Sequence, residues 1–136
     1  MIKRTHTCGE LTLDNLDSKV SLNGWISKIR DLGGLIFIDL RDRYGVTQVF
    51  FNEKTNEDVF NIAKKLGLED VIGVTGNVIK RPDDAINKSM VTGFIDIDVN
   101  TLIVYHTHKL LIVFINSYTV YTEFWIFLYH YITVYK

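Results

Sequence analysis

The sequence predicts an all-β domain with one helix, in which five strands close into a barrel. Two observations lead to this prediction. Apolar and polar residues alternate with the period of a half-buried strand in two runs, 35–41 and 46–51, that a short turn separates. Between the third and fourth predicted strands, apolar residues instead recur at the spacing of a helix. Three consecutive strands, one helix and two further strands can enclose a single core.

The first three predicted strands form an antiparallel meander, at 19–29, 35–41 and 46–51. The consecutive glycines Gly33 and Gly34 supply a flexible turn between the first strand and the second. A four-residue turn that ends in glycine joins the second strand to the third. We therefore expect these strands to lie side by side in the sheet.

A helix is predicted at 57–66, between the third and fourth strands. Thr55 or Asn56 can cap its start, and Gly67 can end it. Four apolar residues recur along it at helical spacing: Val59, Ile62, Ala63 and Leu66. This helix would close one end of the barrel.

The fourth strand is predicted at 71–79 and ends near Pro82, because the residue before a proline favours an extended backbone and polar residues follow it. The fifth strand is predicted at 93–99. One side of it is apolar and the other carries Phe94, Asp96 and Asp98. Half of this strand would therefore face water. The complete order matches a five-stranded OB-fold Greek-key barrel with the helix between strands three and four.

Composition fits one domain followed by a tail. A chain of 136 residues can build a single core but not two well-formed ones. Lys and Arg number 15 against 16 Asp and Glu, so no overall basic field attracts nucleic acid indiscriminately. The single cysteine, Cys8, excludes an internal disulfide, and Cys8 with His6 lacks the ligand count of a zinc site. We expect a cytoplasmic protein without a metal site or a secretory signal.

The outer face of the second and third strands carries side chains suited to single-stranded nucleic acid. Phe37 gains little on a wet face unless a partner covers it, and base–aromatic stacking is worth about 1–3 kcal/mol. Gln48 offers a donor and an acceptor to a base edge, and Arg30 can hold a phosphate or stack on a base. The alternative is that Phe37 packs under a loop and that the polar residues serve solvation.

The segment GWISKIRDLGGLIFIDLRDRYGVTQVFF, residues 24–51, resembles the N-terminal anticodon-binding domain of bacterial-type aspartyl-tRNA synthetases, which are class II enzymes. The likeness covers about residues 1–104 and includes Arg4-Thr5, Cys8-Gly9-Glu10-Leu11, Val74-Thr75-Gly76, Arg81, Asn87, Met90 and Thr92-Gly93. It implies an OB barrel that grips the anticodon loop of aspartate tRNA. It also implies a separate catalytic domain that binds ATP and Mg²⁺, so this chain should hold no catalytic residue and no cofactor.

The resemblance implies roles for three residues in contact with the anticodon loop. Phe37 matches the aromatic residue that stacks on an anticodon base. Gln48 matches the residue that reads the middle uridine, and Arg30 matches an arginine that contacts the anticodon loop. All three residue types are intact in this sequence.

The resemblance is weaker at the first anticodon base. Arg81 matches an arginine near that base, but an asparagine of some family members falls on Ala85, which has no side-chain hydrogen-bonding group. Asp96 stands in place of the usual glutamate and is one methylene shorter. A bridging water would let Asp96 serve. The alternative is that Asp96 is a solvated strand carboxylate.

The end of the sequence is of a different kind, because Glu123 is the only formal charge between Leu110 and Tyr135. A transmembrane helix would place that charge near mid-bilayer, at a cost of about 2.5–3.5 kcal/mol. Additional strands would leave an unprotected edge. We favour a third interpretation, in which residues 105–136 are an aberrant hydrophobic tail produced by a frameshift or truncation in the linker.

Two functions follow from the sequence. The first is tRNA anticodon binding as part of an aspartate-tRNA ligase, whose full-length form would carry out ATP-dependent aminoacylation. Its partner would be the aspartate anticodon loop, with neither DNA nor a membrane expected. The second is a free-standing OB module for single-stranded nucleic acid or protein, attached to a membrane by the tail. The family homodimer depends largely on the catalytic domain, so the sequence leaves the oligomeric state open, as it does aspartate against asparagine tRNA.

Overall fold

Strands with alternating apolar residues close into a barrel in the computed structural model, which describes residues 1–54 and 56–107. The elements are β1 (Lys19–Asp31), β2 (Leu35–Arg41), β3 (Val46–Asn52), α1 (Glu57–Ala63), β4 (Val71–Lys80) and β5 (Ile95–His106). Two short 3₁₀ segments lie at Leu13–Asn15 and Asp83–Ala85. The predicted all-β fold with one helix between the third and fourth strands is confirmed.

Around the barrel the strands follow the order β1-β2-β3-β5-β4, and the sheet is closed. All neighbours are antiparallel except β3 and β5, which run parallel. The long strand β1 pairs with two other strands: its first half with β4, where Val20 lies opposite Gly76, and its second half with β2, where Arg30 lies opposite Phe37. This is the predicted OB-fold arrangement. The turn from β1 to β2 passes through Gly33 at a φ of 87°, a conformation that glycine adopts without a steric cost.

The barrel interior is filled from one side of each strand. In β2, Ile36, Ile38 and Leu40 are fully buried, while Phe37 and Asp39 between them are only half-buried. Burying such an aliphatic side chain contributes about 1.5–3 kcal/mol. The interior also contains Val49, Phe51, Ile72, Val74, Ile95 and Ile97. The alternation predicted for β2 is therefore confirmed, and the other side of the sheet faces outward.

Helix α1 is shorter than the predicted span 57–66 and buries a partly different face. Asn56 caps it, because Oδ1 of Asn56 accepts a hydrogen bond from the Val59 N–H at 3.1 Å. The other predicted cap, Thr55, lies outside the described residues. Phe60 is fully buried together with Ala63, whereas Ile62 is 43% exposed. The predicted inward position of Ile62 is wrong, because the aromatic ring of Phe60 turns a neighbouring face toward the core.

Strand β5 begins later and ends later than the predicted span 93–99. Gly93 belongs to a turn in which its N–H donates to the Met90 carbonyl at 3.0 Å. At its other end the strand continues to His106, which pairs with Val71 at the start of β4. A register shift between Thr75 and Gly76 bends the two strands together. The strand is longer because it matches the whole length of β4.

The predicted tail, residues 105–136, lies outside the described residues apart from its first three positions, so its three interpretations stay open. Within residues 1–54 and 56–107, no helix is long and apolar enough to cross a membrane. The same part of the chain contains no group of three His, Cys, Asp or Glu side chains that could hold a metal ion.

Cys8 should be unreactive in the folded chain. Its side chain is 1% exposed, and burial, reinforced by the nearby Asp42 carboxylate, raises the pKa of the thiol well above its ordinary value. Because the thiolate is the reactive species, iodoacetamide at pH 8 should leave the native chain unmodified and alkylate it fully in denaturant. Intact-mass spectrometry measures this directly, since Cys8 is the only cysteine. Rapid alkylation of the native chain would contradict this burial.

Candidate nucleic-acid interface

A row of four side chains crosses the outer wall of the barrel. Arg30 of β1 lies opposite Phe37 of β2, Phe37 lies opposite Phe50 of β3, and Phe50 lies opposite Asp98 of β5. Residues that are directly opposite on neighbouring strands point to the same side of a sheet. We call these four residues the phenyl row. It places a cation, two aromatic rings and a carboxylate on one surface.

Phe37 lies on the outer wall, between the fully buried Ile36 and Ile38. Its ring centroid is 5.8 Å from that of Phe50, with 32° between the two ring planes. The guanidinium carbon of the exposed Arg30 is 5.6 Å from the Phe37 centroid, within cation–π range. The ring is therefore half-buried by its neighbours on the outer face rather than inserted into the core.

Gln48 shares this side of the sheet with Phe37, because it lies opposite Asp39, two residues along β2 from Phe37. Nε2 of Gln48 is 3.5 Å from Oδ1 of Asp39, at the long limit of a hydrogen bond. The side chain is only 4% exposed, so it is more enclosed than an outer strand position suggests. The RNA contacts of Arg30, Phe37 and Gln48 stay predictions.

Arg81 and Asp96 form a buried ion pair beside the start of β5. Nη2 and Nε of Arg81 donate to Oδ1 of Asp96 at 2.6 and 3.0 Å, and the two side chains are 4% and 7% exposed. Burial raises the pKa of the Asp96 carboxyl, and the Arg81 guanidinium offsets part of that rise. The alternative of a solvated Asp96 is wrong, because Arg81 covers the carboxylate that strand alternation alone would expose.

Arg81 and Asp96, which the resemblance places at the first anticodon base, are already paired with each other, unlike the exposed Arg30. Arg81 also donates from Nη2 to the Ile95 carbonyl at 3.1 Å, so its guanidinium already has protein partners. Both bonds to Asp96 end on Oδ1, and Oδ2 takes no part in them. Ala85 is exposed in the 3₁₀ segment that follows Pro82. The contacts of Arg81 and Asp96 with RNA also stay predictions.

Two residues of this surface were not assigned a role from the sequence. Phe50 has the same strand parity as Gln48, and Asp98 has the same parity as Asp96, so alternation placed both on the outer side. Alternation alone did not predict the contact between Phe50 and Phe37, because that contact depends on the register between β2 and β3. The position of Asp98 depends on the parallel pairing of β3 with β5.

A family of tRNA anticodon domains, described as the OB-fold nucleic acid binding domain, matches residues 20–101. The aspartate-tRNA(Asp/Asn) ligase of Anaplasma phagocytophilum is 48% identical over 100 residues, which are 74% of this chain and 17% of the relative. The aspartate-tRNA ligase of Mycoplasma capricolum is 47% identical over 109 residues, or 80% of this chain and 18% of the relative. The chain thus spans less than a fifth of the length of these curated relatives.

Solved structures give the same picture of the fold. Asparaginyl-tRNA synthetase from Pyrococcus horikoshii superimposes with a TM-score of 0.65 and 29% identity, covering 79% of this chain and 23% of that one. The OBody AM2EP06, solved bound to hen egg-white lysozyme, has a TM-score of 0.69 and 22% identity over 79% of this chain and 97% of its own. At that identity, the second likeness concerns the fold alone.

Proposed function

Because the chain belongs to the family of tRNA anticodon domains with the OB fold, and matches the N-terminal part of aspartate-tRNA ligases, we propose that it binds the anticodon loop of aspartate tRNA. The proposal rests chiefly on one observation: the half-buried Phe37 ring lies on the same outer face as the Gln48 amide. A stacking surface next to a group with both a donor and an acceptor suits an unstacked base.

Each group on this face has a physical role in the proposal. The middle base stacks on Phe37, where the neighbouring Phe50 ring and Arg30 hold the phenyl group in place. Gln48 then meets the Watson–Crick edge of that base, because its 3.5 Å contact with Asp39 is long and easily exchanged. The exposed Arg30 contacts a phosphate of the loop. The barrel wall holds the backbone of these strands in place, so that binding requires only the Gln48 side chain to exchange its contact with Asp39.

For a longer protein that contains this domain, we propose the activity of the aspartate-tRNA ligases that it resembles. Ligation of aspartate to tRNA, with ATP and Mg²⁺, would belong to a catalytic domain outside this chain, as would most of a homodimer interface. RNA binding by the barrel itself needs no cofactor. The proposed location is the cytoplasm, where the tRNA is.

Gln48→Ala should abolish the preference for the middle uridine. We expect the unmutated chain to bind a hairpin with the anticodon GUC about fivefold or more tightly than one with GCC, as one base-edge hydrogen bond of about 1 kcal/mol requires. In the variant the ratio should approach one. Fluorescence anisotropy with labelled hairpins at one fixed salt concentration measures both affinities, because affinity for RNA varies with salt.

A matched control is Asn61→Ala, which removes an exposed amide from α1 and should preserve the preference. If the unmutated chain binds both hairpins equally, the free-standing single-strand module replaces the anticodon proposal. If Gln48→Ala keeps the full preference, the middle base is read by another residue.

A further inference from the structure

Asp98 occupies the end of the phenyl row. It lies opposite Phe50 on β3 and opposite Asn77 on β4, so its side chain stands between an aromatic ring and an exposed strand residue. Phe37 lies one strand beyond Phe50. At about 4.8 Å between neighbouring strands, Asp98 is roughly 10 Å from the position of Phe37 across the sheet. That separation suits a base adjacent to the one that stacks on Phe37.

The Asp98 carboxylate is incompletely paired. Its Oδ1 is buried and accepts no hydrogen bond, and it is the one buried side-chain nitrogen or oxygen in this condition among the described residues. More than nine-tenths of buried polar groups in folded proteins have a partner. Burial also raises the pKa of this carboxyl. An outer strand position has no structural need for such a group, because an apolar side chain would avoid the cost.

The two other carboxylates of this face are already engaged within the protein. Asp39 lies against the Gln48 amide, and Asp96 is held by two nitrogens of Arg81. Of the three, Asp98 is half-buried and has a buried Oδ1 that accepts no hydrogen bond among the described residues, so it is the carboxylate that still lacks a partner at that oxygen. A carboxylate repels phosphate, so the matching chemistry is a base edge that donates N–H groups. Guanine presents an imino and an amino group there, and cytosine presents an amino group.

We propose that Asp98 is a specificity-determining residue, which accepts hydrogen bonds from the Watson–Crick N–H donors of the guanine or cytosine that flanks the base on Phe37. This inference rests on the proposed function and deepens it. In a GUC anticodon both flanking bases carry an amino group, whereas the middle uracil has none. Asp98 therefore adds a second selection, for amino-bearing neighbours, to the selection that Gln48 makes at the middle base.

The test compares base analogues with and without the amino group on the full 136-residue chain. Four hairpins are needed: GUC, GUC with inosine in place of guanosine, GUU, and the middle-base control GCC. The unmutated chain should lose about tenfold in affinity on either the inosine or the GUU hairpin, as expected for a hydrogen bond to a charged acceptor. The hairpin that shows the loss identifies which flanking base Asp98 contacts.

Asp98→Asn should abolish that discrimination and preserve the preference for GUC over GCC. The asparagine has nearly the same shape, but its amide presents donors where the base also presents them. Asp98→Leu should give the same loss of discrimination without lowering the melting temperature, because it removes a buried unpaired acceptor. Asp58→Asn, on the exposed face of α1, makes the same change of charge and should alter nothing.

Three results would overturn the inference while leaving anticodon binding intact. One is a chain that prefers GUC to GCC but is indifferent to both amino-deleted hairpins. Another is discrimination that survives in Asp98→Asn. The third is an equal change in affinity for every hairpin in Asp98→Asn, which would mean a purely electrostatic effect. Failure of the unmutated chain to prefer GUC over GCC would instead overturn the proposed function, and this inference with it.

Discussion

Asp96→Ala is expected to lower the free energy of unfolding by about 3–5 kcal/mol, the usual cost of breaking a buried ion pair. The variant leaves the guanidinium of Arg81, whose side chain is 4% exposed, without a counter-ion. The hydrogen bond from Arg81 to the Ile95 carbonyl remains, but it does not neutralise the charge. Urea unfolding followed by tryptophan fluorescence measures the change as a shift of the midpoint at constant slope.

The neighbouring ion pair between Lys80 and Asp83 is a matched control. Its two side chains are 56% and 83% exposed, although its N–O distance of 3.0 Å is similar. Asp83→Ala should therefore cost less than about 1 kcal/mol. The double variant Arg81→Met with Asp96→Leu should recover most of the lost stability, because it removes both charges together. Equal losses in Asp96→Ala and Asp83→Ala would contradict the role assigned to burial.

Phe37→Ala is expected to weaken binding of the GUC and GCC hairpins by the same factor. Stacking of a base on an aromatic ring is worth about 1–3 kcal/mol, which corresponds to a loss of about 5- to 150-fold in affinity. Stacking tolerates any base, so the ratio between the two hairpins should stay constant. This behaviour separates Phe37 from Gln48, whose replacement should change the ratio. Anisotropy titrations at constant salt give both quantities.

The control for Phe37→Ala is Ile62→Ala, which truncates an exposed apolar side chain on α1, at 43% exposure. That variant should bind both hairpins like the unmutated chain. Phe37→Tyr keeps an aromatic face and should retain most of the affinity. Unchanged binding by Phe37→Ala would remove the physical basis of the proposed RNA site, since no other observation requires a partner on that ring.

Local alternation was sufficient to predict most of the barrel. The run from Leu35 to Arg41 identified the inward and outward sides of β2 correctly, because its period of two is uninterrupted. The same argument placed Phe37 and Gln48 on one side, since a short turn fixes the pairing of β2 with β3. In α1 the pattern failed, because Phe60 and Ile62 compete for the core and periodicity alone does not rank them.

The contacts that depend on closure of the barrel were beyond local patterns. Arg81 and Asp96 are separated by a loop, and no spacing rule joins a residue after one strand to a residue on the next. The resemblance assigned each of them a role, but not their mutual ion pair. Asp98 illustrates the same limit, because its place beside Phe50 arises from two strands that are distant in sequence and run parallel.

The parallel junction between β3 and β5 is short, with Val49 opposite Ile97 and Phe50 opposite Asp98. It is the shortest pairing in the sheet, so we expect it to open more readily than the longer antiparallel pairings. An anticodon strand that extends from Phe37 to Asp98 would contact both β3 and β5 and hold the two strands together. Binding of the RNA would then stabilise the β3–β5 pairing, and a formed β3–β5 pairing would in turn favour binding of the RNA.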